Sequence, residues 1–267
     1  MSVIELLSLG AVSLAIGVLS GMVGMALGIV RLPIMLIVGI EPLIAAGTNL
    51  AVSTVGGAAG AWPHLRAGRV VTRVVITMGV PAVAGSFVGG RFAHVVPSWI
   101  LLTLVVMFLL WSSVVMFTRV ISESTNHLDK DKMTTQGTSY KQYKVWVENI
   151  WGGLVIGVVG GAVGLVLGTV RMPTLITVFN MAPARAVGTN MVVGLLAGLF
   201  GFAGHLSNHQ IDWLLVGVMG CTAMVGSFSG ARMMGRLDPR RLLFLIALIV
   251  LLMAPLMGWR AYLYISG

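Results

Sequence analysis

The amino-acid sequence predicts an all-α integral membrane protein of about eight to ten hydrophobic helical segments, in two homologous, inverted repeats with broken or re-entrant helices. Three observations carry that prediction. Of 267 residues, 57% are hydrophobic and 9% charged, and the mean hydropathy is +0.99, whereas soluble domains carry roughly a quarter charged residues. Apolar runs recur along the whole chain, most of them near the ~20 residues that a bilayer-spanning helix needs. A glycine-rich motif ending in Arg-x-Pro occurs twice, as GMVGMALGIVRLP at 21–33 and GAVGLVLGTVRMP at 161–173.

In chain order, the first half carries apolar runs at about 3–20, 21–40, 43–62, 70–90 and 98–118. The second half repeats them at about 150–168, 169–182, 184–204, 211–231 and 241–259. The first run has Glu5 where a secretory leader has basic residues, and no small-residue cleavage pattern follows, so it is expected to remain as a helix of the mature chain. The runs at 21–40 and 169–182 are short or interrupted. Between the halves lies a polar segment, 119–149, which holds all four lysines, Lys130, Lys132, Lys141 and Lys144. The division is therefore a first transmembrane repeat over 1–118, a cytoplasmic linker over 119–149 and a second repeat over 150–267. The single Cys221 excludes an intramolecular disulfide and, lying in an apolar run, reads as a packing residue.

The duplication extends beyond the opening motif. Gly21, Gly24, Gly28, Arg31 and Pro33 match Gly161, Gly164, Gly168, Arg171 and Pro173 at a spacing of 140. After one inserted residue the spacing is 141, and it then pairs Pro42 with Pro183, the Gly-Thr-Asn at 47–49 with that at 188–190, His64 with His205, and the Gly-Ser-Phe at 85–87 with that at 226–228. Many rare residues in register mark an internal duplication, of the kind found in transporters built from two repeats.

Each duplicated residue has a bland and a functional reading. The glycines at 17, 21, 24 and 28 and at 157, 160, 161 and 164 have the small-xxx-small spacing that lets helices approach closely. Proline and arginine that follow Gly24 and Gly164 fit poorly inside a continuous apolar helix, because proline removes a donor and an arginine at bilayer depth must face protein or water. A broken helix lining a cavity satisfies both. Thr48-Asn49 and Thr189-Asn190 are read as helix-start residues, either plain caps or part of an anion cradle where a helix N-terminus offers free donors. Arg31 and Arg171 offer the rigid donor fork suited to oxyanions, unless they snorkel to an interface. Ser86 and Ser227 either donate to substrate or bond back to their own helix. His64 and His205 are candidates for proton coupling, against a plain interfacial placement.

The acidic residues, Glu5, Glu41, Glu123, Asp129, Asp131, Glu148, Asp212 and Asp238, all fall at the N-terminus, in turns or in the linker. A cation carrier or carboxylate proton relay needs one at bilayer depth, so an anion is the expected substrate. No metal-ligand cluster, phosphate-binding loop or nucleophile-base pairing is present in the sequence, so an enzyme, a cofactor and a metal are not expected. The net charge of +9 comes from arginines at the ends of apolar runs, without interleaved aromatics. It points to lipid headgroups and not to nucleic acid. Arg66, Arg69 and Arg73 lie after the third run of the first half, while Arg232, Arg236, Arg240 and Arg241 lie after the fourth run of the second. An odd number of crossings per half places both clusters and the linker on the cytoplasmic side, and this predicts inverted halves.

The glycine-rich first segment running into Pro33-Ile34-Met35-Leu36, then Ala45-Ala46-Gly47-Thr48-Asn49, and their repeats at Pro173 and Ala186-Val187-Gly188-Thr189-Asn190, resemble the TauE/SafE sulfite-exporter family. The likeness covers nearly the whole chain outside the linker, although the opening glycines are more widely spaced than in many members. It implies movement of sulfite or small organosulfur anions such as sulfoacetate across the bacterial inner membrane. The expectation is a multi-pass secondary transporter, an exporter working by alternating access, whose partners are a small anion and the lipid bilayer; homo-oligomerisation stays open. The expected substrate site comprises Thr48, Asn49, Thr189, Asn190, Arg31, Arg171, Gly24, Gly164, Ser86 and Ser227. A passive anion channel and a non-transporting scaffold or sensor subunit are the alternatives.

Overall fold

The computed structural model describes residues 2–25, 27–125, 139–177, 179, 181–233 and 238–266. They form α1 (Val3–Val23), α2 (Gly28–Ile37), α3 (Pro42–Arg66), α4 (Thr72–Val95), α5 (Ser98–Thr125), α6 (Ser139–Val163), α7 (Gly168–Thr177), α8 (Pro183–Leu206), α9 (Trp213–Arg232) and α10 (Pro239–Ser266). Among the described residues there is no strand, and seven helices are long and apolar enough to cross a membrane: α1, α3, α4, α5, α8, α9 and α10. The middle of the predicted linker, with Lys130 and Lys132, lies outside the described residues, as does Arg236; the linker's two ends belong to α5 and α6.

Local chemistry sets the helix boundaries. Ser2 and Glu5 form a capping box at the start of α1, satisfying two free backbone donors reciprocally. Pro42 and Pro183 stand in the first turn of α3 and α8, where a missing N–H costs nothing. Thr48-Asn49 and Thr189-Asn190 are therefore inside helices, in the second and third turns, and not at helix starts as the sequence reading has them. Asp212 caps α9 by accepting from the Leu215 N–H at 3.0 Å. In α4 a wide π turn over Val75–Gly79 precedes Pro81, which cannot donate to the preceding turn.

The two short helices follow breaks at glycine. Gly24 ends α1 at φ 71° and Gly164 follows α6 at φ 81°, a left-handed conformation that a side chain rarely adopts. Each break also leaves no space: a β-carbon on Gly24 would collide with Val187 of α8, and one on Gly164 with Ala46 of α3. Each half's break is thus seated on the other half. Arg260 of α10 donates to the Ile37 carbonyl at 2.8 Å, fixing the far end of α2 with a cation at a helix C-terminus.

Close glycine contacts give the helix directions. Gly10, Gly17 and Gly21 of α1 face Val218, Ala223 and Ala231 of α9 in turn, so these two helices run parallel. Gly153, Gly157 and Gly161 of α6 face Met78, Ala82 and Ser86 of α4, again in parallel. Gly56 and Gly60 of α3 meet Ala223 and Ser227 of α9, and Gly79 and Gly90 of α4 meet Val193 and Gly201 of α8, so α3 follows α9 and α8 follows α4. Between the central helices the order reverses, because Gly198 faces Leu50 and Thr54, Gly57 faces Leu195 and Gly60 faces Met191. Helices α3 and α8, which correspond in sequence, are therefore antiparallel, and so are α1 and α6. The loops after α3 and α9 consequently lie at one face, and those after α4 and α8 at the other.

Cys221 is exposed on the outer side of α9 and does not pack in the core, which corrects the sequence reading. A Cys221→Ser background therefore suits labelling. Cysteines introduced at Ala67 and Asp238 should react with a membrane-impermeant thiol reagent from one side of the membrane, and cysteines at Glu41 and Ser207 from the other. With arginines inside, reagent added to intact cells reaches only 41 and 207. Labelling of 67 and 207 from the same side would contradict the helix directions.

Candidate functional site

Two asparagines, one in each central helix, tie the breaks together. Asn49 of α3 donates through Nδ2 to the carbonyls of Gly28 at 3.1 Å and Gly164 at 2.9 Å. Asn190 of α8 donates to the carbonyls of Gly168 at 3.2 Å and Gly24 at 3.4 Å. Each side chain thereby holds the short helix of its own half and the glycine break of the other. Breaking a helix frees backbone carbonyls, and in an apolar interior each needs a donor. A primary amide has two N–H groups for two carbonyls, which is why asparagine fits here.

The amide oxygens take the arginines. Arg31 Nη1 donates to Asn49 Oδ1 and to Ser53 Oγ, both at 3.3 Å, and Arg171 Nε donates to Asn190 Oδ1 at 3.3 Å. Arg31 is 3% exposed and Arg171 2%. Neither forms an ion pair with a carboxylate among the described residues. Arg31 Nε and Arg171 Nη2 are buried with no hydrogen-bond partner, as is Ser227 Oγ of α9.

All three unpartnered groups belong to residues that line one buried cavity of about 20 Å³, together with Gly28 and Gly168 at the first turns of α2 and α7. The cavity is therefore bordered by two guanidinium groups, a free hydroxyl and the N-terminal ends of two short helices. Every one of these is a donor or a positive pole. In this conformation the space suits a water molecule and nothing larger. What it lacks is negative charge.

The predicted site residues divide by position. Arg31, Arg171, Asn190 and Ser227 line the cavity, while Asn49, Gly24 and Gly164 hold its frame. Thr48 and Thr189 are engaged elsewhere: the Thr48 hydroxyl accepts from the Asp212 N–H at the start of α9, and the Thr189 hydroxyl from the Val71 N–H at the start of α4, each at 3.0 Å. They latch one half to the other. Ser86 donates to the Ala197 carbonyl at 2.7 Å and is used up in packing. His205 is bonded to Gln210 Oε1 at 2.8 Å and the Gly161 carbonyl at 2.9 Å, whereas both ring nitrogens of the buried His64 lack partners. Neither histidine borders the cavity.

The profile of the family described as sulfite exporter TauE/SafE matches residues 9–257. The chain belongs to the TauE/SafE family. Among similar curated proteins are two probable membrane transporter proteins of Bacillus subtilis (strain 168). YdhB is 24% identical over 218 residues, which is 81% of this chain and 85% of that protein. YunE is 21% identical over 264 residues, or 94% and 96%. No solved structure matches the chain.

Sequence reasoning missed Ser53, which also lines the cavity. Ser53 stands one helical turn after Asn49 and so faces the same side, a signal available from periodicity alone. Its counterpart at the repeat spacing of 141 is Gly194, whose position lies against Arg171 Nη2. The glycine explains why that guanidinium nitrogen is unpartnered while Arg31 Nη1 has two acceptors.

Replacing Asn49 or Asn190 with Ala strands the break carbonyl of Gly164 or Gly24, removes the second bond to Gly28 or Gly168 and takes one acceptor from an arginine. Each unsatisfied buried group costs ~1–3 kcal/mol, so either variant should unfold at markedly lower temperature in detergent. Asn49→Gln should not restore the stability lost in Asn49→Ala, since its amide stands one methylene too far. A wild-type melting temperature for both alanine variants would mean that the asparagine bonds do not secure the breaks.

Proposed function

We propose that this chain is a secondary transporter, an exporter, of a small sulfur-containing oxyanion such as sulfite or an organosulfonate, working by alternating access between two inverted repeats in the bacterial inner membrane. The observation that carries the reading is the pair of buried arginines without a carboxylate, each with an unspent donor at one cavity. A buried unpaired charge costs several kcal/mol, and a bound anion offsets that cost for both arginines at once. Tetrahedral and pyramidal oxyanions present several acceptors in different directions, matching a fork, a hydroxyl and two helix ends. The described family supplies the sulfur chemistry, as its name refers to sulfite export.

The mechanism follows from how the frame is shared. Helices α2 and α7 bring their positive ends to the cavity from opposite halves, as in transporters with discontinuous helices. The antiparallel course of α3 and α8 supports inversion, which makes the two faces of the site interchangeable by rocking one half against the other. Substrate entry then requires the halves to part near Arg31 and Arg171.

Proteoliposomes carrying the purified chain should move sulfite against its gradient when a driving ion gradient is imposed. Arg31→Gln or Arg171→Gln should weaken apparent sulfite affinity roughly tenfold to a hundredfold, the loss of a charged hydrogen bond worth ~1.5–3 kcal/mol. Asn190→Asp is the sharper test. Its carboxylate takes the substrate's place beside Arg171 but gives up the two N–H groups that hold Gly24 and Gly168, so the variant should melt below wild type and fail to bind anion. Undiminished sulfite transport by Asn190→Asp would overturn the cavity as the substrate site.

A further inference from the structure

A second feature lies on the outer side of α3 and α9, away from the anion cavity. An open groove of about 430 Å³ is walled by Ala58, Ala59 and Trp62 of α3 and by Met224, Val225 and Phe228 of α9. The wall residues have the same i, i+1, i+4 spacing on two parallel helices, so Trp62 and Phe228 stand at the same end. One turn further, each helix carries an arginine. The Arg66 guanidinium lies 4.8 Å from the centre of the Trp62 ring, and that of Arg232 lies 4.1 Å from the centre of the Phe228 ring. Both arginines are exposed, and neither forms an ion pair among the described residues.

An apolar trough that ends in two unpaired cations matches the division of a phospholipid into acyl chain and phosphate. Aromatic rings hold the guanidinium groups by cation–π contact at the groove mouth, which reduces the entropy lost when they engage a phosphate. The other face provides an internal comparison. At the repeat spacing of 141, Trp62 and Arg66 correspond to Ala203 and Ser207, and Arg232 corresponds to Arg91, whose guanidinium is bonded to Asn208 Oδ1 at 2.9 Å. The duplicated scaffold has therefore kept the basic groove at one face only, the face that gathers the loops after α3 and α9. Positive residues mark the side of the anionic leaflet. A second copy of the chain fits worse, because a two-fold contact across this groove would bring together four cations, none of them in an ion pair among the described residues.

We propose that this groove is a binding site for an anionic phospholipid, with one acyl chain between Trp62 and Phe228 and the phosphate between Arg66 and Arg232. The test uses the full chain purified in mild detergent, titrated with dioleoylphosphatidylglycerol or dioleoylphosphatidylcholine and read by native mass spectrometry and thermal unfolding. Phosphatidylglycerol should bind more tightly and raise the unfolding temperature more. The double variant Arg66→Gln/Arg232→Gln should lose roughly tenfold to thirtyfold in phosphatidylglycerol affinity, at about 1 kcal/mol per arginine near the headgroups, while Arg66→Lys/Arg232→Lys keeps part of the preference. Trp62→Ala should weaken both lipids alike. Equal binding of the two lipids by the wild type, or an unchanged preference in the glutamine variant, would overturn the proposal. So would glycerol phosphate reproducing the whole thermal shift, since that requires no acyl groove. A dimer dissociated by Trp62→Ala and indifferent to either lipid would assign the groove to a second copy and equally overturn it.

Discussion

Arg31 and Arg171 carry their charge into the interior at 3% and 2% exposure with amide and hydroxyl oxygens as their only described acceptors, and the rest of the molecule is arranged around that fact. Water would solvate a guanidinium from every side, and the effective penalty for removing it is several kcal/mol per ion. One or two neutral acceptors recover a fraction of this. The adjacent N-terminal ends of α2 and α7 worsen the balance, since they add positive potential of the same sign. A stable resting arrangement of this kind needs a rigid frame that prevents the arginines from swinging toward lipid or loop. The asparagine clamps supply it.

The frame is an exchange between halves. Asn49 reaches Gly164, Asn190 reaches Gly24, Thr48 holds the start of α9 and Thr189 holds the start of α4. Helices α1 and α6 likewise lie along α9 and α4 of the opposite half, at glycines with no room for a side chain. Neither half can close its own breaks or bury its own first helix alone. Movement of one half against the other must consequently pass through these cross-contacts, and the four hydrogen bonds among them are short side chains bonded to backbone. Such bonds have fixed geometry, so they switch between made and broken with little intermediate stretching.

Much of this was legible in the sequence because chemistry at bilayer depth is restrictive. Arg-x-Pro after spaced glycines has few solutions in an apolar run, and the broken helices α2 and α7 are the one realised here. The arginine distribution likewise anticipated loops after α3 and α9 at a common face. The Thr-Asn pairs misled, because their helix-start preference is local while Pro42 and Pro183 had already started each helix six residues earlier. Their partners were beyond reach: a bond from Asn49 to a carbonyl 115 residues away depends on how the halves cross, which no local pattern encodes. Cys221 was misplaced for a simpler reason. In a membrane protein an apolar run is apolar on its lipid face as well as its core face, so hydrophobicity ceases to predict burial.

The two halves match in sequence at a spacing of 140–141, but they differ where donors matter. At the spacing of 141, Ser53 corresponds to Gly194, the tied Ser86 to the free Ser227, and the unbonded His64 to the bonded His205. A symmetric anion on a symmetric axis would gain nothing from such differences. Of the unspent donors at the cavity, Arg171 Nη2 and Ser227 Oγ come from the second half and Arg31 Nε from the first. An anion accepting from all three would sit off the pseudo-axis toward α7 and α9, with Arg31 completing its coordination across the seam. That placement makes the two routes out of the cavity unequal in energy, since leaving past Arg31 breaks one of these contacts first and leaving past Arg171 and Ser227 breaks two. On the proposed reading, the two routes differ through the residues at which the two halves no longer match.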